Sequence, residues 1–178
     1  MTNDIIVSGF GGQGVMAIGK TLTEAGMKEG KEVSWLPSYG PEMRGGTANC
    51  SVVISDDPIV SPIVLEPTEL IAMNLPSLIK FENLVQKGGT IFVNSSVVSQ
   101  KVERKDVRAV YVDCIGIAEK LGNGKVANMV MLGAYIEAMK NLKTDTIKEM
   151  LVHMFTGSKA KLVDLNIQAL ALGAACVK

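Results

Sequence analysis

Cysteine and histidine are scarce in this chain of 178 residues, which contains three cysteines and one histidine. Cys50, Cys114 and Cys176 lie too far apart for the short ligand spacings of zinc sites and iron–sulfur clusters. The odd cysteine count and the absence of a signal-peptide pattern favour a reducing cytoplasm. His153 lies between Val152 and Met154 in a predicted helix, so we interpret it as a packed or surface side chain rather than a general base.

An excess of one charge is also missing, since 18 basic and 18 acidic residues give a formal net charge of +0. Basic residues are scattered except for the pair Arg104 and Lys105, so nothing indicates binding to nucleic acid or to an anionic membrane surface. No apolar run approaches the roughly 20 residues that a membrane helix needs. Hydrophobic residues make up 47% of the chain. This composition predicts one globular α/β domain over residues 1–178.

Short β-branched runs alternate with helical patterns, which predicts a doubly wound, mostly parallel α/β sheet with helices on both faces. The expected architecture is Rossmann-like, with a helical C-terminal part. A buried strand at residues 5–7, a helix at 15–28 and a strand at 32–36, ended by Pro37, would form a βαβ unit. Further strands are predicted at 47–55, 69–74, 90–94 and 108–113, and further helices at 76–85, 115–121, 127–140, from 144 onwards and at 159–175.

A glycine loop at residues 9–14 has the spacing G-x-G-x-x-G between the first predicted strand and helix. Glycines let the backbone approach a ligand closely, and a helix N-terminus presents free N–H groups to an anion. The candidate binding residues are Gly11, Gly12, Gln13 and Gly14, with the Gln13 amide expected to point out of the loop. A phosphate, a carboxylate or the backbone of a partner could occupy this site, and a tight turn without a ligand is the alternative.

A dinucleotide site would also require an acid at the end of the second strand, to hold a ribose. The sequence has Glu32 at the start of that strand instead. We therefore do not expect NAD binding, although the glycine spacing alone would allow it.

A second loop covers residues 38–46, where one acid, one base and one tyrosine stand between Gly-Pro and Gly-Gly. Such turns fix the angles at which side chains leave a loop, and loops on a rigid scaffold commonly carry binding residues. The candidate residues are Ser38, Tyr39, Gly40, Glu42, Arg44 and Gly45. An ordinary surface turn with solvated charges is the alternative interpretation.

The predicted helix at 127–140 is apolar almost all round, which indicates a buried helix. Asn128 near its start is expected to cap the helix, and the alternative is that it presents its amide to a site. Cys50 follows the second loop and is a candidate thiol, although a buried structural cysteine is the stronger interpretation.

The two loops together resemble those of the gamma subunit, or gamma domain, of 2-oxoacid:ferredoxin oxidoreductases of the pyruvate, 2-oxoglutarate and 2-ketoisovalerate types. The run at residues 128–134 is also similar to a helix of that family. The resemblance covers most of the chain. It implies a subunit of an enzyme that oxidatively decarboxylates a 2-oxoacid to an acyl-CoA and passes the electrons to ferredoxin.

The resemblance further implies a complex that uses thiamine diphosphate, Mg, iron–sulfur clusters and coenzyme A. Its partners would be alpha and beta subunits that bind thiamine, an iron–sulfur delta subunit, and ferredoxin through the complex. This chain has neither a cluster-type cysteine motif nor a Gly-Asp-Gly run followed by Asn, so we expect it to bind none of these cofactors alone. The resemblance suggests that the glycine loop and Arg44 contact an anion on the coenzyme A side, while Tyr39 and Glu42 shape the approach.

Two other functions stay open at this point. The chain could be a stand-alone nucleotide-binding oxidoreductase, which only the glycine spacing favours. It could also be a purely structural subunit whose loops dock on partner chains, which the zero net charge and the apolar helices favour.

Overall fold

A computed structural model describes residues 1–38, 47–157 and 160–177 of the chain. Its strands are β1 (Thr2–Phe10), β2 (Glu32–Ser38), β3 (Thr47–Ser55), β4 (Glu69–Ala72), β5 (Thr90–Asn94) and β6 (Arg108–Val112). Its α-helices are α1 (Val15–Lys28), α2 (Leu75–Phe81), α3 (Cys114–Lys120), α4 (Ala127–Met139), α5 (Thr144–Met154) and α6 (Lys161–Ala174). Short 3₁₀ turns occupy Glu82–Leu84 and Gly124–Val126. Within these ranges, the helices are too short or too polar to cross a membrane.

The strands form one sheet in the order β2-β3-β1-β4-β5-β6. β3 runs antiparallel to both of its neighbours, and the pairs β1–β4, β4–β5 and β5–β6 are parallel. Five of the six strands therefore point the same way, as the prediction of a mostly parallel sheet requires. β1 and β2 are not adjacent, however, because β3 lies between them. The segment from β2 to β3 is too short for a parallel crossover, which needs a dozen or more residues, so β3 returns antiparallel.

Several predicted boundaries shift in the structure. β2 continues through Pro37 to Ser38. Proline has no N–H to donate, and it is tolerated here because β2 is an edge strand, whose outer side forms no ladder hydrogen bonds. The helix that Pro76 opens ends at Phe81 and continues as a 3₁₀ turn rather than reaching residue 85 as one helix. The last helix spans Lys161–Ala174, and residue 159, where it was predicted to begin, lies outside the described residues.

Helices pack on both faces of the sheet, but unequally. α1 and the C-terminal helices share one core cluster with β1 and β3, and α2 packs on the opposite face with the other side of the sheet. α4 is buried along most of its length, as its composition predicts. It packs closely against α6, because a Cβ added at Gly133 would collide with the Leu170 carbonyl and one at Gly173 with the Val130 carbonyl.

The two ends of the sheet are named here for the direction of its parallel strands. The carboxyl edge contains the ends of β1, β2, β4, β5 and β6 and the start of β3, and the amino edge is the opposite end. From β1 the chain first builds the β2–β3 side, then crosses to β4 and builds the other side. The carboxyl ends of β1 and β4 therefore flank a topological switch point, which is where open α/β sheets bind ligands.

Candidate functional site

The glycine loop connects β1 to α1 at the carboxyl edge. Gly12 and Gly14 have φ angles of 94° and 77°, a left-handed conformation that favours glycine. The Gln13 N–H donates to the Phe10 carbonyl at 3.2 Å, which closes the turn. A Cβ at Gly14 would also lie 2.7 Å from the Asn128 side chain. Glycine is thus required at position 14 by both backbone conformation and close packing.

The Gln13 side chain turns into the protein, so the expectation that its amide points out of the loop is wrong. Its Oε1 accepts from the Phe10 N–H at 2.7 Å, and its Nε2 donates to the Met73 carbonyl at 3.0 Å. The amide therefore ties the loop to the segment that follows β4. A role of Gln13 in ligand binding stays a prediction, and the structure makes the loop backbone the more open group.

Four helices begin near this edge, and they differ in how their first N–H groups are satisfied. The Asn74 side chain accepts from Ser77 N at 2.9 Å and caps α2, and the Asp113 side chain accepts from Gly116 N at 3.1 Å and caps α3. Among the residues that the structure describes, no side chain caps α1 or α4. An uncapped N-terminus leaves several N–H groups without intrahelical acceptors and carries the positive end of the helix dipole.

Asn128 does not cap α4, so that expectation is wrong. The chain enters α4 directly from the 3₁₀ turn Gly124–Val126, which puts Val126 at the cap position and Asn128 inside the first turn. The side chain that caps the 3₁₀ turn is Asn123, whose Oδ1 accepts from Lys125 N at 3.0 Å. Asn128 instead packs against the α-carbon of Gly14, which joins the start of α4 to the glycine loop.

A cleft of about 190 Å³ lies between the starts of α1 and α4. It opens outside the carboxyl ends of β1 and β4, at the switch point of the sheet. Backbone from the glycine loop forms one wall, and the exposed side chain of Lys125 belongs to the opposite one. The lining residues are Gly12, Gln13, Gly14, Met73, Asn94, Ile115, Gly124, Lys125, Ala127 and Asn128.

The electrostatic character of this cleft is positive. Lys125 contributes a formal charge, and the start of α1, which no described side chain caps, contributes a partial one. No acidic residue stands in the first turn of either α1 or α4. The arrangement therefore suits an anionic group small enough for the cleft, such as a phosphate or a carboxylate.

A second, shallower cleft of about 230 Å³ lies on the other side of the glycine loop, where Phe10 and Ala48 meet the first turn of α1. It is close to both ends of the second predicted loop, because Thr47 pairs with Phe10 and Ser38 pairs with Asn49. Both sequence motifs thus lie at the carboxyl edge. Ser38 is exposed at the end of β2. Tyr39, Gly40, Glu42, Arg44 and Gly45 lie outside the described residues, so their roles stay predictions.

Sequence reasoning missed Lys125 and Asn94 in this cleft. Asn94 is buried at the end of β5, where its Nδ2 donates to the Met73 carbonyl at 3.3 Å and its Oδ1 accepts from Ser96 N at 3.3 Å. These bonds fix the chain where β4 and β5 end. Lys125 follows the Gly122–Gly124 turn. Its position as a basic residue just before a predicted helix start was the sequence signal that could have identified it as a binding residue.

The geometry also disfavours a dinucleotide site of the usual kind. Glu32 starts β2 at the amino edge, at the opposite end of the sheet from the glycine loop. β3 separates β2 from β1. A ribose bound beside the glycine loop would therefore not reach Glu32.

The residues that line the carboxyl-edge cleft include none of the three cysteines and not His153. Cys50 is buried, and burial raises the pKa of its thiol to about 11, which makes it unreactive near neutral pH. Cys114 is buried as well, and burial raises its thiol pKa further. His153 is exposed on α5. Across residues 1–38, 47–157 and 160–177, no three His, Cys, Asp or Glu side chains are grouped to hold a metal ion.

Comparison with known proteins gives consistent matches. A family model described as pyruvate ferredoxin/flavodoxin oxidoreductase matches residues 4–176. The chain is 42% identical to the ketoisovalerate oxidoreductase subunit VorA of Methanothermobacter thermautotrophicus, over 94% of this chain and 35% of that protein. It is 39% identical to the 2-oxoglutarate synthase subunit KorC of Methanocaldococcus jannaschii, over 75% of this chain and 73% of that protein. The chain thus spans about a third of the length of the VorA relative.

A solved structure shares the fold over nearly the whole chain. The keto/oxoacid ferredoxin oxidoreductase gamma subunit from Geobacter sulfurreducens superposes with a TM-score of 0.82 at 27% identity, covering 98% of this chain and 97% of that one. The predicted α/β fold class is confirmed by this match and by the six-stranded mixed sheet.

Proposed function

The chain belongs to the pyruvate ferredoxin/flavodoxin oxidoreductase family, and we propose that it is the gamma-type subunit of a thiamine-diphosphate-dependent 2-oxoacid:ferredoxin oxidoreductase. The complex would oxidatively decarboxylate a 2-oxoacid, transfer the acyl group to coenzyme A and pass electrons to ferredoxin. The observation that carries a ligand-binding role for this chain is the positive cleft between the starts of α1 and α4. A relative named as a gamma subunit supports the assignment of the subunit type.

The cofactors of the reaction belong to other chains in this proposal. Thiamine diphosphate with Mg would lie between alpha and beta subunits, and a delta subunit would carry iron–sulfur clusters. The sequence here lacks the Gly-Asp-Gly run followed by Asn that holds the diphosphate and its metal. Cys50 and Cys114 are each buried in the core with raised pKa values, and thiolate ligands require the opposite. We therefore propose that this subunit acts in cytoplasmic assemblies without a cofactor of its own.

The proposed task of the cleft is to hold a phosphate group of coenzyme A. Backbone N–H groups at the start of α1 would donate to phosphate oxygens, and Lys125 would add a charge-assisted hydrogen bond. On the opposite wall, the side-chain amide of Asn128 would donate a hydrogen bond to the same phosphate group. The cleft volume of about 190 Å³ fits a phosphate group rather than a whole coenzyme. Arg44, whose loop starts and ends beside this edge, would add a second cation.

The identity of the 2-oxoacid stays open. The two relatives described above are named for ketoisovalerate and for 2-oxoglutarate, and both align over most of this chain. A coenzyme A site is common to such enzymes, whereas the acyl part differs among them. This difference agrees with a subunit that handles the coenzyme rather than the substrate side chain.

A docking role is the second candidate function, and one feature favours it. The segment between β3 and β4 exposes three large apolar side chains, with Val60 at 101%, Leu65 at 74% and Ile63 at 60% of their full accessibility. Contiguous exposed apolar side chains commonly mark protein–protein contacts. The two roles are compatible, since a subunit can dock through this segment and bind an anion at the carboxyl edge.

The proposal is tested by purifying the chain from its native source without denaturation and identifying its companions by mass spectrometry and metal analysis. We expect a thiamine-binding pair, an iron–sulfur chain and activity that depends on coenzyme A with one or more 2-oxoacids. A chain that is purified alone and binds a nucleotide tightly would contradict the proposal and would favour the stand-alone oxidoreductase.

Replacement of Arg44 by alanine tests the loop that the structure leaves undescribed. In the assembled enzyme, we expect R44A to raise the KM for coenzyme A. An unchanged KM and turnover would remove Arg44 from the site without affecting the assignment of the subunit.

A further inference from the structure

Glu69 is a buried acid at the amino edge, far from the cleft described above. It is the first residue of β4 and lies between β1 and β5, with 3% of its surface exposed. Its Oε1 accepts from the buried Asn3 Nδ2 at 3.0 Å. Its Oε2 is also buried and has no hydrogen-bond partner among the described residues. A buried carboxylate with one unpaired oxygen is costly, because an ionised group loses far more hydration than a neutral one.

The groups that face Glu69 do not compensate its charge. On β1, Asp4 would repel an ionised Glu69. On α4, Tyr135 is fully buried and neutral, since burial and the nearby Glu69 keep the pKa of its phenol well above its ordinary value. Thr90 on β5 and Thr68, the residue before β4, also lie near Glu69, and both side chains are uncharged.

Two cations line the same small cleft at this edge without pairing with the acid. The ammonium group of Met1 is bonded to Asp56 at 3.0 Å, and the Lys87 side chain is exposed. In the described part of the chain, no ion pair involves Glu69. The carboxyl group therefore lies in a polar pocket that stabilises its neutral form better than its ionised form.

We infer that Glu69 makes the stability of the amino edge depend on pH, because the fold buries this side chain at little cost while it is neutral and at a higher cost when it ionises. Burial is the main cause that raises its pKa from 4.5 to about 7, with the Asp4 charge adding to the shift and the Asn3 hydrogen bond and the nearby polar side chain of Thr68 opposing it. Because the folded pKa exceeds the unfolded one, the stabilising effect is complete below about pH 4.5 and disappears as pH rises through about 7. The contribution of Glu69 to the stability of the fold is therefore expected to fall as pH rises through the neutral range.

The test is equilibrium unfolding of the full chain by denaturant at about pH 6 and about pH 8.5, for the wild type, E69Q and the control E66Q. With a folded pKa near 7, the wild-type unfolding constant should rise about tenfold between these pH values because of this group. E69Q replaces the carboxyl group by an amide of the same shape that does not titrate. We therefore expect the tenfold rise in the unfolding constant to be absent in E69Q. Glu66 is exposed three residues away, and E66Q should retain it. Equal pH dependence in E69Q and the wild type would overturn the inference.

A second measurement covers the case in which E69Q does not fold. Carbon-13 NMR of the side-chain carboxyl groups in the wild-type chain reports the titration of Glu69 directly. We expect a midpoint near neutral pH for one glutamate that is assigned to position 69. A midpoint in the ordinary glutamate range would overturn the inference by itself.

Discussion

The two edges of the sheet use polar groups in opposite ways. At the carboxyl edge, the backbone of the glycine loop and the start of α1 leave N–H groups open to a cleft beside Lys125. At the amino edge, Glu69 and Asn3 are buried and bonded to each other. Open donors at one edge suit a ligand, whereas the buried pair at the other edge joins β1 to β4 and makes the stability of the fold depend on pH. Burial and capping, rather than the number of polar residues, therefore distinguish a binding edge from a structural one.

The largest expected effect on stability is at Gly14, where the shape of the carboxyl edge depends on the backbone. Alanine at this position would combine a left-handed φ with a 2.7 Å contact to Asn128. We expect G14A to lower the free energy of unfolding by about 2–4 kcal/mol, as measured by denaturant titration. The matched control is G12A, where φ is also positive but no atom lies within 4 Å of an added Cβ. G12A should lower the free energy of unfolding by only about 1–2 kcal/mol. Equal losses in G14A and G12A would show that the Asn128 contact has no effect.

Removal of Asn3 tests whether the amino edge is held by side-chain pairing. N3A leaves both oxygens of Glu69 without a described partner, so we expect a loss of about 1–3 kcal/mol in the free energy of unfolding. The Asn3 hydrogen bond lowers the pKa of Glu69, so its removal should raise that pKa and make the loss larger at alkaline than at acidic pH. N83A is the control, because Asn83 is exposed. If N3A lost the same free energy of unfolding at acidic and at alkaline pH, the Asn3 hydrogen bond would have no effect on the titration of Glu69.

The smallest expected effect concerns a group at the carboxyl edge that is structural. Asp113 accepts from Gly116 N at 3.1 Å and from Ser96 Oγ at 2.7 Å, so it caps α3 and holds the turn after β5. We expect D113A to lower the free energy of unfolding by about 1 kcal/mol. D113N retains an acceptor oxygen and should lose less. If D113A instead changed the KM for coenzyme A without a loss of stability, the distinction between capped and uncapped helices at this edge would fail.

Much of the fold could be predicted from the sequence, because each element carries its own periodicity. The buried character of α4 followed from an apolar run, and β4 and β5 were predicted from short apolar segments. The position of β3 between β1 and β2 could not be predicted in this way, since strand order depends on pairing between distant segments. The continuation of β2 through Pro37 likewise depends on its place at the edge of the sheet.

The site was only partly predictable for the same reason. The glycine loop is a local pattern, so its position at a helix start was evident. Lys125 and Asn128 are more than a hundred residues away from Gly14 in sequence, and only folding brings them to the same cleft. The inward turn of Gln13 depends on the Met73 carbonyl, which belongs to another strand connection. The burial of Glu69 was equally hidden, because one glutamate before an apolar run looks like a solvated strand end.

The most direct test of the carboxyl-edge account is the KM for coenzyme A of the assembled enzyme carrying K125A, compared with the wild type and with K87A. Lys125 lines the carboxyl-edge cleft, and Lys87 is an exposed lysine at the amino edge. We predict that K125A raises this KM by roughly tenfold or more, the effect of losing one charge-assisted hydrogen bond, with unchanged stability of the subunit. K87A should leave the KM unchanged. A KM in K125A equal to that of the wild type would contradict the claim that this cleft holds a phosphate group of the coenzyme.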